Sequence, residues 1–376
     1  MHGLAPMIIF GRGVMPQIGT DYLTSAPFAP QGDTEAIWAS IIIVNYNAKR
    51  FLQDAIDSVA AQIDIPYELI LVDNASTDGS LEGLRTDHVS NFKLLALDEN
   101  TGFARGNNIA AAQARGTWIA LLNPDAKAAP DWLQQYQKAT EAFPDTPMFG
   151  GATISTADPT KLDGAGDCYF FLGIPWRGGY TRPITELPDI GECFSPCGAS
   201  ALYRRDVFLE AGGFDERYFC YGEDVDIGFR LRLQGYRCIF WPDAKALHFG
   251  SGTTSVASPF AVHHGTRNRF WMFVKNVPPL AFWILILGHI SISAALLVRG
   301  TMKGRGAATW SGMKAGILGI GPVWGDRRVV QKRRKVSSIT ILKAMSWNWG
   351  LVRNRKPDVR PVKGHTSVHN SVVIES

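Results

Sequence analysis

Apolar residues in this chain change their spacing from one segment to the next, and each change predicts an element. Trp38 to Asn45 (WASIIIVN) is an unbroken, β-branched run, as expected of a strand buried on both faces of a parallel sheet. From Ala48 to Ala61 the apolar positions shift to helical spacing: Phe51, Leu52, Ala55, Ile56 and Val59. Tyr67 to Val72 and Phe92 to Leu97 predict two further strands, Ala104 to Arg115 a helix, and Trp118 to Leu122 a fourth strand ending in Asn123-Pro124-Asp125. Pro130 suits the first turn of the next helix. Strands alternating with helices predict an α/β layer around a mostly parallel sheet, with useful groups at the strand C-termini. Between about 148 and 200 the chain is Gly-rich and reads as hairpins and loops. Cys197 to Tyr203 then predicts a strand, Arg204 to Glu210 a helix start, Gly222 to Gly235 a helix with acids at its beginning, and Tyr236 to Phe240 a short strand. There is no internal repeat.

Of 376 residues, 46% are apolar and 19% charged, a globular composition, but the net charge of +4 hides a division. From Arg299 onward there are 16 Lys and Arg against 3 acids, which leaves 22 basic against 31 acidic side chains in residues 1–298. An acidic body excludes a nucleic-acid-binding face there, and basic charge placed directly after the most apolar stretch points to an anionic membrane surface. Five cysteines are odd in number and form no CxxC, which argues against a disulfide scaffold or a structural zinc and for a reducing compartment. Residues 1–37 read as an irregular leader without a secretory signal.

Candidate chemistry follows the strand ends. Asp73, Asp78 and Asp125 each lie just beyond a buried strand. An acid there is often only a cap or an Asx-turn, the reading that suits Asp78, whereas Asp73 ends its strand and points to the same crevice as Asp125. Two carboxylates at one crevice suit a hard divalent cation holding a phosphorylated substrate. Neither a P-loop nor a GxGxxG after the first strand is present. In Gly222-Glu223-Asp224-Val225-Asp226 three acids open a helix between aromatic and aliphatic flanks, where one carboxylate could deprotonate a hydroxyl. Residue chemistry alone leaves Glu223, Asp224 and Asp226 as alternatives. His248 is either a satisfied core histidine or a ligand, and Arg267 and Arg269 form either a solvated basic face or a clamp for a diphosphate.

These stretches together resemble glycosyltransferase family 2, in its bacterial rhamnosyltransferase-like branch. The matching segments are SIIIVNYN (40–47), ILVDNASTDGS (70–80), LDENTGFARGNNIA (97–110), WIALLNPDA (118–126), the run from Cys197 to Thr254, and HHGTRNRFWMFVKN (263–276). The resemblance covers roughly 38–300 and implies a GT-A fold over 38–276. It also implies an inverting, metal-dependent transfer from a nucleotide-diphosphate sugar. On that resemblance Asp73, Asn45 and Asn47 surround the nucleotide. Asn100, Gly102 and Asn107 belong to the family's N-x-G-[FY]-[AG]-x-[GA]-N segment lining the donor site. Asn123-Pro124-Asp125 stands for the Asp-x-Asp of the fold, leaving Asp125 as the main carboxylate for Mn2+ or Mg2+. His248 approaches the metal, Cys197 and Gly198 form the floor under the donor sugar, and Glu223-Asp224 is the acceptor-side pair with Asp224 as base.

Residues 280–298 hold 19 residues without Asp, Glu, Lys or Arg, enough to span a bilayer or to lie in its interface. The alternative is a buried helix at a homodimer contact. A second apolar, glycine-rich segment, 306–324, has Trp310 and Trp324 near its ends, and with the first it forms an expected membrane-associated helical region over 277–325. A basic tail over 326–376 follows, with disorder expected from about Lys356. Such a C-terminus fits a lipid-linked saccharide acceptor at the cytoplasmic face of a bacterial inner membrane, in cell-surface polysaccharide synthesis. The expected donor is dTDP-rhamnose. The alternatives are a UDP-hexose or UDP-galactofuranose transferase and a non-catalytic glycan- or nucleotide-sugar-binding protein.

Overall fold

The computed structural model describes residues 36–250 and 258–362. In chain order the first half is β1 (Ala39–Asn45), α1 (Lys49–Ala60), β2 (Tyr67–Asp73), β3 (Phe92–Ala96), α2 (Gly102–Gln113), β4 (Trp118–Leu122), β5 (Ala126–Ala128), α3 (Trp132–Ala142) and β6 (Met148–Ser155). There follow β7 (Leu162–Ala165), β8 (Asp167–Phe170), β9 (Ile174–Arg177), β10 (Gly191–Cys193), β11 (Ser200–Arg204), α4 (Arg205–Glu210), α5 (Glu223–Leu233) and β12 (Cys238–His248). The last part is helical: α6 (Pro259–Asn276), α7 (Pro279–Met302), α8 (Gly306–Leu318), α9 (Ile320–Lys332), α10 (Ser338–Ala344) and α11 (Trp349–Asn354), closed by β13 (Arg360–Pro361).

The main path of the sheet runs β13-β10-β12-β6-β11-β4-β1-β2-β3. Its β3-β2-β1-β4 part is parallel, with Asn45 level with Asp73 at the C-terminal edge. Side chains of β1 and β2 alternate between two cores. Ile41, Ile43, Leu69 and Leu71 pack on the α1 and α3 side, and Ile42, Val44, Ile70 and Val72 on the α2 and α5 side. That explains the unbroken apolar runs, because both faces are covered. The expectation of a mostly parallel sheet is corrected to a mixed one. β11 enters antiparallel between β4 and β6, and β5, β7 and β10 also pair antiparallel. These strands are short and come from segments without helical crossovers, which frees them from the parallel rule.

Two further expectations change. β12 does not stop near Pro242 but continues through an irregularity between Trp241 and Lys245 to His248, so the histidine is carried on a strand. The tail does not become disordered at Lys356. The Lys356 carbonyl accepts a hydrogen bond from Trp176 Nε1 at 3.0 Å, and Arg360–Pro361 pairs with β10. Residues 1–35, most of the expected leader, and 363–376 lie outside the described residues.

Helix α6 is fastened to α5 by buried charge. Lys275, fully buried, places Nζ 2.6 Å from Asp215 Oδ2 and 2.8 Å from the Asp226 carboxylate. Asp226 also accepts from Arg230 Nε at 2.8 Å, Asn276 Nδ2 at 2.7 Å and the Tyr218 hydroxyl at 3.1 Å. Burial alone would raise the Asp226 carboxyl; the Lys275 and Arg230 charges outweigh it and hold it below its usual range. Removing one partner leaves buried charge uncompensated. Lys275→Ala is therefore expected to cost about 3–5 kcal/mol, read from the denaturant midpoint of the full chain.

Candidate active site

A cleft of about 900 Å³ opens beyond the C-terminal ends of the parallel strands, where open α/β sheets bind ligands. Of the residues singled out from the sequence, it is lined by Asn100, Gly102, Asn123, Asp125, Cys197, Gly198, Glu223, Asp224, His248 and Arg269. Asn45, Asn47, Asp73, Asn107 and Arg267 are not on its wall.

The residues behind the wall build the loops in front of it. Asp73 accepts from Asn45 Nδ2 at 2.7 Å and from the Ser76 amide at 3.1 Å, locking the end of β2 to that of β1. Asn47, at φ 52°, accepts from the Thr77 amide at 2.7 Å. Asp78 accepts from the Lys49 and Ser80 amides, which is the turn role foreseen for it. Asn107 is buried and donates to the Phe103 carbonyl at 2.8 Å within its own helix. Asn74, missed from the sequence, bridges to the donor-side loop through the Thr101 amide at 2.8 Å and the Gly102 carbonyl at 3.1 Å. Gly102 has φ +84°, and a Cβ there would lie 2.6 Å from the Phe219 ring, so only glycine lets that ring close over the loop.

At one part of the cleft His248 Nε2 lies 3.2 Å from both Asp125 Oδ1 and Asn123 Nδ2, while Nδ1 is 2.7 Å from Asp163 Oδ2. Asp163 in turn accepts from Arg177 Nη1 at 2.7 Å. Burial opposes a charged imidazole, but the hydrogen bonds to Asp125 and Asp163 outweigh it and raise His248 to about 9. A buttressed histidine beside a carboxylate is the arrangement that holds an N,O-ligated divalent cation, with Asp163 fixing the ring. Asp125 is a hard oxygen donor that fits Mn2+ or Mg2+, and His248, a borderline nitrogen donor, would join it only on giving up the proton that Asp125 and Asp163 hold on the ring. Asp163 and Arg177 escaped the sequence reading because they fall in the Gly-rich segment taken as loops.

Elsewhere on the wall are the three acids of α5. Asp226 is fully buried in the lysine cluster and unavailable for chemistry. Burial, then the charges of Asp224 and Asp226, push the Glu223 carboxyl well above its usual range and favour its neutral form. Asp224 accepts from the Gly198 amide at 3.0 Å and from the Val225 amide at 2.8 Å, and stays partly exposed to the cleft. The turn before these acids is strained. Phe219 (φ 64°, ψ −62°) centres a three-residue turn closed by the Cys220 amide on the Tyr218 carbonyl at 2.7 Å, and Tyr221 has φ 71°. Arg267 and Asn268 of α6 grip it: Arg267 Nη2 donates to the carbonyls of Arg217 and Tyr218, and Asn268 Nδ2 to those of Tyr218, Cys220 and Tyr221, all at 2.8–3.0 Å. Arg269 instead donates to Ser293 Oγ of α7 at 2.8 Å.

Two family models match with this geometry in order along the chain, "Glycosyl transferase family 2" over residues 40–212 and "Glycosyl transferase family group 2" over 186–319. The chain is a family 2 glycosyltransferase. It is 27% identical, over 70% of its length and 94% of the relative's, to N-acetylglucosaminyl-diphospho-decaprenol L-rhamnosyltransferase of Mycobacterium tuberculosis (strain CDC 1551 / Oshkosh). It is 28% identical, over 61% of its length and 86% of the relative's, to rhamnosyltransferase WbbL of Escherichia coli (strain K12). The crystal structure of GalNAc-T7 with UDP, GalNAc and Mn2+ shares the fold (TM-score 0.50, 16% identity, covering 65% of this chain and about half, 51%, of that one). At family level this glycosyltransferase acts on a nucleotide-sugar donor. If Arg267 serves the turn, Arg267→Ala lowers turnover about tenfold while nucleoside diphosphate affinity by calorimetry moves less than about threefold. A collapse of nucleotide affinity would put its guanidinium on the diphosphate instead.

Proposed function

We propose that this enzyme transfers rhamnose from dTDP-rhamnose, with inversion, to a lipid-linked saccharide at the cytoplasmic face of a bacterial inner membrane. The observation that carries the reading is that one cleft is lined both by Asp224, amide-bound yet partly exposed, and by the Asn123, Asp125 and His248 group. The names of the relatives above supply the sugar and the kind of acceptor.

In this reading Asn100, Gly102 and the floor at Cys197–Gly198 cradle the donor, and Asp125 and His248 hold Mn2+ or Mg2+. When bound, the cation supplies charge neutralisation for the departing diphosphate. Asp224 takes the proton of the acceptor hydroxyl as that oxygen attacks the anomeric carbon from the face opposite the leaving group. Glu223, kept neutral, does not compete for that proton. The bound diphosphate needs no proton to leave, so a single base suffices.

The membrane part of the reading rests on α7. Among the described residues it is the one helix long and apolar enough to cross a bilayer, with a mean hydropathy of 2.2 over its best window. One stripe, including Phe282, Leu285, His289 and Ser293, packs on the protein, while Leu280, Trp283, Ile284 and Leu287 are each more than 65% exposed. A helix buried on one side and apolar on the other lies in an interface more readily than it spans alone, and Trp310 and Leu318 of α8 extend the same exposed apolar character.

Incubated with a panel of nucleotide sugars, Mn2+ and a lipid-linked acceptor extract, the purified enzyme should release nucleoside diphosphate from dTDP-rhamnose and form a product of inverted anomeric configuration. Asp224→Asn should slow it about 10²–10⁴-fold. Selection of a UDP-hexose would replace the donor, and full activity of Asp224→Asn would remove the base. In a second experiment, the double variant Trp283→Glu, Leu287→Glu should lose most of its co-flotation with phosphatidylglycerol vesicles, whereas equal flotation would exclude α7 as the contact.

A further inference from the structure

A second carboxyl stands against the proposed base, on an element with no part in the reading so far. Asp167 opens β8, where its amide donates to the Ser195 carbonyl at 2.8 Å and its cross-strand neighbour on β9 is Arg177. It is 5% exposed and lines the same cleft. A carboxylate oxygen of Asp167, one of Asp224 and Cys197 Sγ all lie within 4.8 Å of one another, at the wall of the same cleft. The nearest cation, Arg177, makes its salt bridge to Asp163 and acts on Asp167 without one.

We propose that Asp167 is a positioning residue for Asp224: its carboxyl donates a hydrogen bond to the Asp224 carboxylate and, with the Gly198 amide, fixes which oxygen is left facing the acceptor hydroxyl. The inference rests on Asp224 being the base. Two adjacent carboxyls cannot both ionise readily, and the proton belongs on the more buried one. Burial and then the Asp224 charge push Asp167 well above the usual carboxylate range, with Arg177 opposing. During transfer the bond from the acceptor oxygen to the anomeric carbon forms and the bond from that carbon to the diphosphate oxygen breaks. The electron pair leaves on the diphosphate, the hydroxyl proton passes to Asp224, and Asp167 keeps its own proton. The thiol of Cys197, raised by burial, stays protonated beside them and makes the group a poor match for a hard cation.

Asp167→Asn retains a donor of the same shape and Asp167→Ala removes it. In the full-length enzyme, with the acceptor-dependent assay, Asp167→Asn should keep kcat within about threefold and leave the acid limb of the pH profile of kcat/KM in place. Asp167→Ala should move that limb upward by about one pH unit, with rates converging on the wild type at alkaline pH, because the ionised base has lost a hydrogen bond. Coincident profiles for wild type and Asp167→Ala, or equal loss in both variants, would overturn the proposal. So would a weakened Mn2+ requirement in Asp167→Asn, which would make Asp167 a metal ligand. Retained activity in Asp224→Asn, measured alongside, would instead overturn the base, a result that no Asp167 variant can produce.

Discussion

Lys275 is a charge with no water around it, and much of the cleft depends on how that charge is compensated. An isolated ammonium at full burial would be neutral or the helix would not dock, so Asp215 and Asp226 must both be brought to it. Asp226 belongs to the first turn of α5, and satisfying Lys275 draws that turn inward and leaves Asp224, two residues earlier, at the cleft wall. Asp215 stands at the start of the strained turn that ends at Gly222. The same side chain therefore fixes both ends of the segment carrying the acids, and the strain at Phe219 and Tyr221 persists because Arg267 and Asn268 hold the carbonyls it exposes. Asp326 on α9 joins through Arg217, so the cluster reaches the helices that follow α7.

The parallel half of the fold was legible because its signals are local. β1, β2 and β4 are covered on both faces and so read as unbroken apolar runs, and α1 shows its stripe at Leu52, Ala55, Ile56 and Val59. The mixed half was not legible in the same way. β7 to β10 are three or four residues long, too short to display a period, and their pairing is decided by contacts far along the chain, such as β10 with β12 and β13. Asp163, Asp167 and Arg177 lie on those strands. Their one sequence signal was the pair of acids set among small residues in Leu-Asp-Gly-Ala-Gly-Asp, which composition alone reads as a turn. For the three acids of α5 the reverse held: the sequence showed that one of them mattered, and only the lysine cluster separated buried Asp226 from accessible Asp224.

The two halves of the sheet divide the chemistry. The parallel strands end at Asn45, Asp73 and, one residue past β4, Asn123, and on the proposed function their loops form the donor side. From the rest of the fold come His248 on β12 of the main sheet and Asp167 and Arg177 on the separate two-stranded sheet of β8 and β9, all lining the same cleft. One chain of contacts runs between the two: Asp125 to His248, His248 to Asp163, Asp163 to Arg177, with Asp167 beside Arg177 and against Asp224. Acids and bases alternate from Asp125 to Asp167, and the chain ends on two adjacent carboxyls.

If α7 and α8 contact the membrane as proposed, their place after α6 has a mechanical consequence. Helix α6 grips the strained turn with Arg267 and Asn268, binds α5 through Lys275, and is tied to α7 by the hydrogen bond from Arg269 to Ser293. Ser293 lies on the buried stripe of α7, away from the exposed Leu280, Trp283, Ile284 and Leu287. An acceptor held in a bilayer arrives at a fixed height and orientation, and a hydroxyl misplaced by even an ångström reacts poorly. On the proposed function, fastening the turn that carries Asp224 to an α7 resting on the bilayer would set base and acceptor in one frame. On that reading, the buried charges that stiffen α6 would convert membrane attachment into alignment at the anomeric carbon.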